Sequence, residues 1–105
     1  MTTPHRGEVW WAEVPDTGRR PFLVMTRDRA IPVLHSLLAA PVTRTVRGIA
    51  TEVPLGTGNG LPQECAVSLD NLRVVPKRAL TTRICSLGPD MMAAACAALV
   101  DAVDC

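Results

Sequence analysis

Apolar and polar positions alternate in short runs through most of the chain, and only the last fifteen or so residues settle into helical spacing. Gly7 to Val14 (GEVWWAEV) is rich in β-formers and closed by Pro15, which predicts a first strand. Asp16-Thr17-Gly18 reads as a turn, with Gly18 free to take positive φ. Pro21 to Thr26 (PFLVMT) is an apolar run of the buried-strand kind, and Arg27 to Ser36 is a polar, proline-interrupted loop. Leu37 to Val42 is a strand despite its alanines, because Pro32 and Pro41 deny it helical length. Ile49 to Val53 alternates as a further strand. Three glycines between Gly56 and Gly60 demand a loop. Cys65–Leu69 and Leu72–Val75 are short strands around the turn-prone pair Asp70-Asn71. Ala79-Leu80 begins a helical turn, and Thr82 to Leu87 returns as a strand. Gly88 then caps a helix, Pro89 suits its first position, and Asp90 complements its dipole. Met92, Cys96, Leu99 and Val103 recur on one face of that helix. Many short strands followed by one helix predict a mainly β fold with α: a small, strongly bent β-barrel capped by a C-terminal helix.

Length and composition narrow this further. The 105 residues make one domain, 1–105, and 48% apolar against 20% charged residues supports a real core. No apolar run approaches the ~20 residues that span a bilayer, and the basic N-terminus lacks the apolar stretch of a signal peptide, so a cytoplasmic protein with no membrane partner is expected. Cys65, Cys85, Cys96 and Cys105 include no C-x-x-C pair, and His5 and His35 are the only imidazoles, so neither a zinc site nor any other metal site or cofactor is expected. The thiols read as reduced, small apolar residues, with Cys105 free at the terminus. Met91 and Met92 read as core.

Charge changes the picture more. The net charge of +1 hides its distribution: residues 1–18 carry −2, residues 19–47 carry +5, and residues 90–105 carry −3. Ten of the eleven basic residues are arginine, which binds phosphate bidentately and keeps its charge at neutral pH. A basic stretch inside a nearly neutral chain marks a local anion site. Arg19-Arg20-Pro21 opens a strand at a turn, and Thr43-Arg44-Thr45 ends another; strand ends are where a rigid scaffold presents reactive groups. Cations and hydroxyl donors are what a phosphate transition state wants. Trp10 and Trp11, adjacent in a strand, face opposite sides, one toward the core and one free to stack a base or meet a subunit. Gly56-x-Gly58-x-Gly60 follows no clear strand and opens no helix, so it is a loop and not a dinucleotide site. His35 beside a leucine run reads as structural or solvated.

Five segments in order then resemble a known family. Arg6-Gly7-Glu8-Val9-Trp10-Trp11, Arg20-Pro21-Phe22-Leu23-Val24, Pro41-Val42-Thr43, Asp70-Asn71-Leu72-Arg73 and Arg83-Ile84-Cys85-Ser86-Leu87-Gly88 resemble the MazF/PemK-type toxins across residues 6 to about 103. Pro41 to Pro54 is similar to the actinobacterial members in particular. The resemblance implies an SH3-like barrel of the MazF/CcdB kind working as a homodimer. It implies a metal-independent, sequence-specific endoribonuclease toxin that cuts single-stranded RNA. The 2′-hydroxyl attacks the adjacent phosphate and leaves a 2′,3′-cyclic phosphate and a 5′-hydroxyl. Its catalytic arginine falls on Arg20 and its catalytic hydroxyl on Thr43. RNA contacts are expected from Arg19, Arg27, Arg44, Arg47, Trp11 and Asn71, and the same groove would take the acidic, flexible tail of a cognate antitoxin. The turn from Asp16 to Arg19 is shorter than in many members, which places Arg19 to share the phosphate contact.

Two other readings compete. A CcdB-like toxin would share the fold and bind DNA gyrase through its C-terminal residues, without nuclease activity; the ending Val-Asp-Cys lacks the aromatic, glycine-rich character that role suggests. An SH3-like peptide-binding module would want an aromatic-lined groove, and Trp10, Trp11 and Phe22 are the only aromatics.

Overall fold

The computed structural model describes residues 3–16 and 18–104. β1 (Glu8–Val14) and β2 (Gly18–Val24) form a hairpin in which Ala12 faces Arg20 and Val14 faces Gly18. Gly18 takes φ +70°. Thr17, in the expected turn, lies outside the described residues, as does Cys105. β2 starts three residues before the expected run, because Gly18, Arg19 and Arg20 complete the ladder to β1 although they are not apolar.

β3 (Ser36–Thr43) is the hinge of the sheet. It pairs with β2 along one edge, and along the other with β6 (Arg73–Pro76) and then β5 (Cys65–Ser68). A strand with three partners forces the sheet to bend. β4 (Glu52–Leu55) extends β5, and β7 (Leu80–Ser86) extends β1, giving the order β4-β5-β3-β2-β1-β7. Two register shifts between β1 and β7 add twist. The product is a curled antiparallel half-barrel, mainly β with one C-terminal helix, α1 (Pro89–Val103).

Both faces of this sheet are buried. Val9, Leu23, Ala40, Val42 and Val67 join Ala95 and Ala98 of α1 in one core, while Ala12, Val14, Phe22, Ala39 and Val75 form another on the opposite face. Trp10, Val24, Ile31 and Leu37 continue the second face. The alternation Val9/Trp10 and Leu23/Phe22 therefore feeds two cores, as a period of two requires.

Two expectations need correction. The strand proposed at Ile49–Val53 lies at Glu52–Leu55 instead. The Arg47 and Gly48 N–H groups donate to Glu52 Oε1 at 2.9 and 3.1 Å, closing a tight loop that leaves Ile49 exposed. The buried stripe of α1 is Ala95 and Ala98 flanked by Met91, Met92, Leu99 and Ala102, and Val103 is 54% exposed. Small side chains are the buried ones because the helix lies close on a concave surface. Cys96 is met at 3.1 Å by the Arg6 guanidinium. Gly88 and Pro89 stand at the cap and first turn as expected, and Asp104, at φ 54°, ends the helix in the left-handed region. The loops hold single 3-10 turns at Ile31–Val33, Thr57–Asn59, Leu69–Asn71 and Lys77–Ala79. Among the described residues no helix is long and apolar enough to cross a membrane.

Candidate nucleic-acid interface

The helix-side core runs outward through Val42, Leu61 and Cys65 and opens into a cleft. Val42, Leu61 and Cys65 are at most 5% exposed and lie at its base; Trp11, Arg19, Arg20, Pro21, Thr43, Arg44, Pro62 and Gln63 complete its lining. The cleft holds about 430 Å³.

Strand register explains how distant residues meet here. The β2–β3 ladder pairs Phe22 with Pro41, and two more steps in that register set Arg20 against Thr43, beyond the last formed pair. Val42 and Thr43 are meanwhile pinned from the other side by Val67 and Ala66 of β5. Arg20 and Thr43 thus sit where two paired strands splay, on rigid backbone with open space beside them.

The charges in this cleft are unspent. Among the described residues, Arg19, Arg20 and Arg44 have no carboxylate within ion-pair distance; the ion pairs found are Arg73–Asp16 at 3.1 Å, Arg83–Glu8 at 3.2 Å and His5–Asp28 at 3.5 Å. Arg19 lies over the Trp11 ring, 4.4 Å from its centre, so the indole orients one cation without neutralising it. The Thr43 hydroxyl accepts the Thr45 N–H at 3.1 Å, a local turn that leaves its own proton free to donate outward. Burial pushes the Cys65 thiol up, with Glu64 and Cys85 adding to the effect, so the sulfur at the cleft base is a protonated thiol and a poor nucleophile. No cluster of three metal-ligating side chains exists among the described residues.

Other sequence-predicted site residues lie elsewhere. Arg27 borders a separate shallow depression with Met25, Leu34, Leu38 and Val74. Arg47 is exposed on the loop before β4, and the Asn71 amide donates to Ser68 Oγ at 2.9 Å. Conversely, Leu61, Pro62, Gln63 and Cys65 join the cleft although nothing in their local pattern marks them. A larger depression, about 950 Å³, runs along β7 past Trp10, Lys77, Arg78 and Arg83. Two of its cations are already engaged: Arg83 holds Glu8, and Lys77 Nζ donates to the Ile31 carbonyl at 2.7 Å. The smaller cleft is the better anion site.

Glu8 instead braces the β1–β7 side of the sheet, beside the larger depression. It is 5% exposed and accepts hydrogen bonds from the Trp10 indole, the His5 N–H and Arg83. Burial alone pushes its carboxyl up, but these donors together outweigh burial and hold it below its ordinary range.

Comparison with known proteins adds a second line. Residues 5–103 match the family model described as PemK-like, MazF-like toxin of type II toxin–antitoxin system. A Mycobacterium tuberculosis (strain H37Rv) protein named "Probable endoribonuclease MazF5" is 48% identical over 103 residues, covering 97% of this chain and 94% of that protein. The solved structure of the Mycobacterium tuberculosis toxin MazF-mt6 superposes with a TM-score of 0.85 at 37% identity, over 92% of this chain and 96% of the other. A mycobacterial endoribonuclease solved in complex with its cognate antitoxin gives a TM-score of 0.85 at 26% identity, over 96% and 95%.

Proposed function

From the premise that the chain belongs to the PemK-like, MazF-like toxins of type II toxin–antitoxin systems, and is an endoribonuclease of that kind, we propose that RNA is cut in the Arg20–Thr43 cleft. The observation that carries this reading is the convergence of three unpaired guanidinium groups and a donor-ready hydroxyl in one open cleft.

The substrate is single-stranded RNA, whose unstacked backbone can enter a cleft of this size. The 2′-hydroxyl attacks the neighbouring phosphorus, the P–O5′ bond breaks, and the products are a 2′,3′-cyclic phosphate and a 5′-hydroxyl. Arg20 acts as a cation, stabilising the extra negative charge of the five-coordinate phosphorus; arginine does not surrender a proton readily enough to serve as base. Thr43 donates to a non-bridging oxygen with the hydroxyl proton that the Thr45 N–H contact leaves free. Arg19 and Arg44 hold the adjoining phosphates. Arg27, Arg47 and Asn71, outside the cleft, meet nucleotides further along the strand. The reaction belongs in the cytoplasm, where an antitoxin with an acidic tail would neutralise the same cations. A second copy of the chain would cover exposed Leu34, Leu38 and Val74, 40%, 46% and 60% accessible, so the working unit is a homodimer. The gyrase-binding alternative is not favoured, since the family model describes PemK-like, MazF-like toxins and the similar named protein is an endoribonuclease.

Incubating the protein with a long RNA in EDTA tests this. Discrete cuts whose 3′ ends become open to kinase-free ligation only after cyclic-phosphate removal are expected. Products with 5′-phosphates, or cleavage abolished by EDTA, would overturn it.

A further inference from the structure

The order β5-β3-β2-β1 places the β4–β5 connection on the far side of β3 from Trp11 and Arg19. The cleft therefore has two unlike walls. One is the Arg19–Trp11 stack, whose guanidinium plane, 4.4 Å from the ring centre, offers a flat face to a nucleobase. The other is Pro62 and Gln63.

That second wall is firmly built. The Asn59 and Gly60 N–H groups donate to the Gly56 and Thr57 carbonyls at 2.9 and 3.0 Å, and the Gly56 N–H donates to Asn59 Oδ1 at 3.0 Å. The exposed Glu64 carboxylate folds back over this turn, its Oε1 2.8 Å from where a Cβ on Gly56 would stand. Leu61 and Cys65 are buried on either side of Gln63, and Pro62 fixes the backbone just before it. An exposed glutamine is thus held at the tip of a braced arm, and its amide makes no hydrogen bond to the described residues.

We propose that Gln63 is a specificity-determining residue, reading an adenine that lies beside the scissile phosphate and stacks on the Arg19–Trp11 wall. This rests on the cleft being the site of RNA cleavage. A glutamine amide offers one donor and one acceptor side by side, the complement of adenine N7 and N6–H₂. The turn beside it is held by its own backbone hydrogen bonds, so the ordering cost on binding falls mainly on the glutamine side chain itself.

The test is cleavage of a randomised RNA pool by the parent, Gln63→Glu and Gln63→Ala, with cut-site frequencies read at every position. A carboxylate keeps the acceptor for N6–H₂ but has no donor for N7. Adenine preference at one position beside the cut should therefore fall by about ten- to hundredfold in both variants, with other positions unchanged. Thermal melting should match the parent, since the side chain is exposed. An unchanged cut-site pattern, a preferred base other than adenine at the affected position, or equal slowing on all sequences would overturn the assignment. A parent protein that cuts no RNA would instead overturn the reading of the cleft on which it rests.

Discussion

At the scale of single residues, Arg20 and Thr43 are tied together by what each lacks. Arg20 has no carboxylate partner among the described residues, and the Thr43 hydroxyl accepts the Thr45 N–H while its own proton meets no acceptor among them. Each is therefore ready to donate to an anion and has nothing else to do. Removing one preorganised donor to developing charge typically slows turnover about 10²–10³-fold. Arg20→Ala and Thr43→Val should each show that loss in single-turnover cleavage while remaining folded. Arg20→Lys should recover only part, because a point charge cannot replace a planar fork. The double variant should be little worse than either single one, as for groups acting as a unit. Cleavage by Arg20→Ala at the parent rate would remove the cleft from the mechanism. In the sequence the strand-end pattern marks a basic edge, and the family resemblance singles out Arg20 and Thr43 within it; the structure lines one cleft with both. Gln63 is not legible there, since an exposed glutamine in a loop has no local signature; only the β3–β5 pairing brings it to the cleft.

At the scale of elements, alternation located most strands, and the misses share a cause. Gly18–Arg20 join β2 through backbone pairing that side-chain polarity conceals. Ile49 looks like a strand residue, yet the Glu52 carboxylate gathers two N–H groups and turns the chain there. On α1 the sequence pattern favours the larger side chains, whereas the concave sheet admits alanine deepest. Glu8 is another element-scale feature, since one carboxylate ties β1 to β7 through Arg83 and to the chain entry through the His5 N–H. Its pKa is lowered in the fold from an ordinary 4.5, so its stabilising contribution is complete above that value and is lost as pH falls through the folded one. Glu8→Gln should cost about 1–3 kcal/mol at neutral pH, because the Arg83 pairing and part of the acceptor capacity go. Chemical denaturation across pH should show that gap narrowing below pH 4.5. A gap constant down to pH 2 would mean that Glu8 acts through shape rather than charge.

At the scale of the whole molecule, the decisive quantity is where the charge is free. The chain is nearly neutral, and Arg19, Arg20 and Arg44, with no carboxylate partner among the described residues, line a single cleft, so positive charge is concentrated there. That concentration makes the salt dependence of RNA binding a map of the strand's path. Each phosphate contact on a single strand contributes a log–log slope of about −0.7. On a trinucleotide, which reaches little beyond the cleft, Arg44→Ala should flatten the slope by about that share, while Arg27→Ala and Arg47→Ala should leave it unchanged. On a long strand, all three variants should flatten it, because Arg27 and Arg47 then have flanking phosphates to hold. Binding measured on cleavage-deficient Thr43→Val protein keeps the substrate intact during the titration. If Arg44→Ala leaves both slopes unchanged, the backbone does not run through this cleft. If Arg27→Ala alters the trinucleotide slope, the strand runs over the depression beside Leu38 and Val74 instead, and that face is not the one a second copy covers.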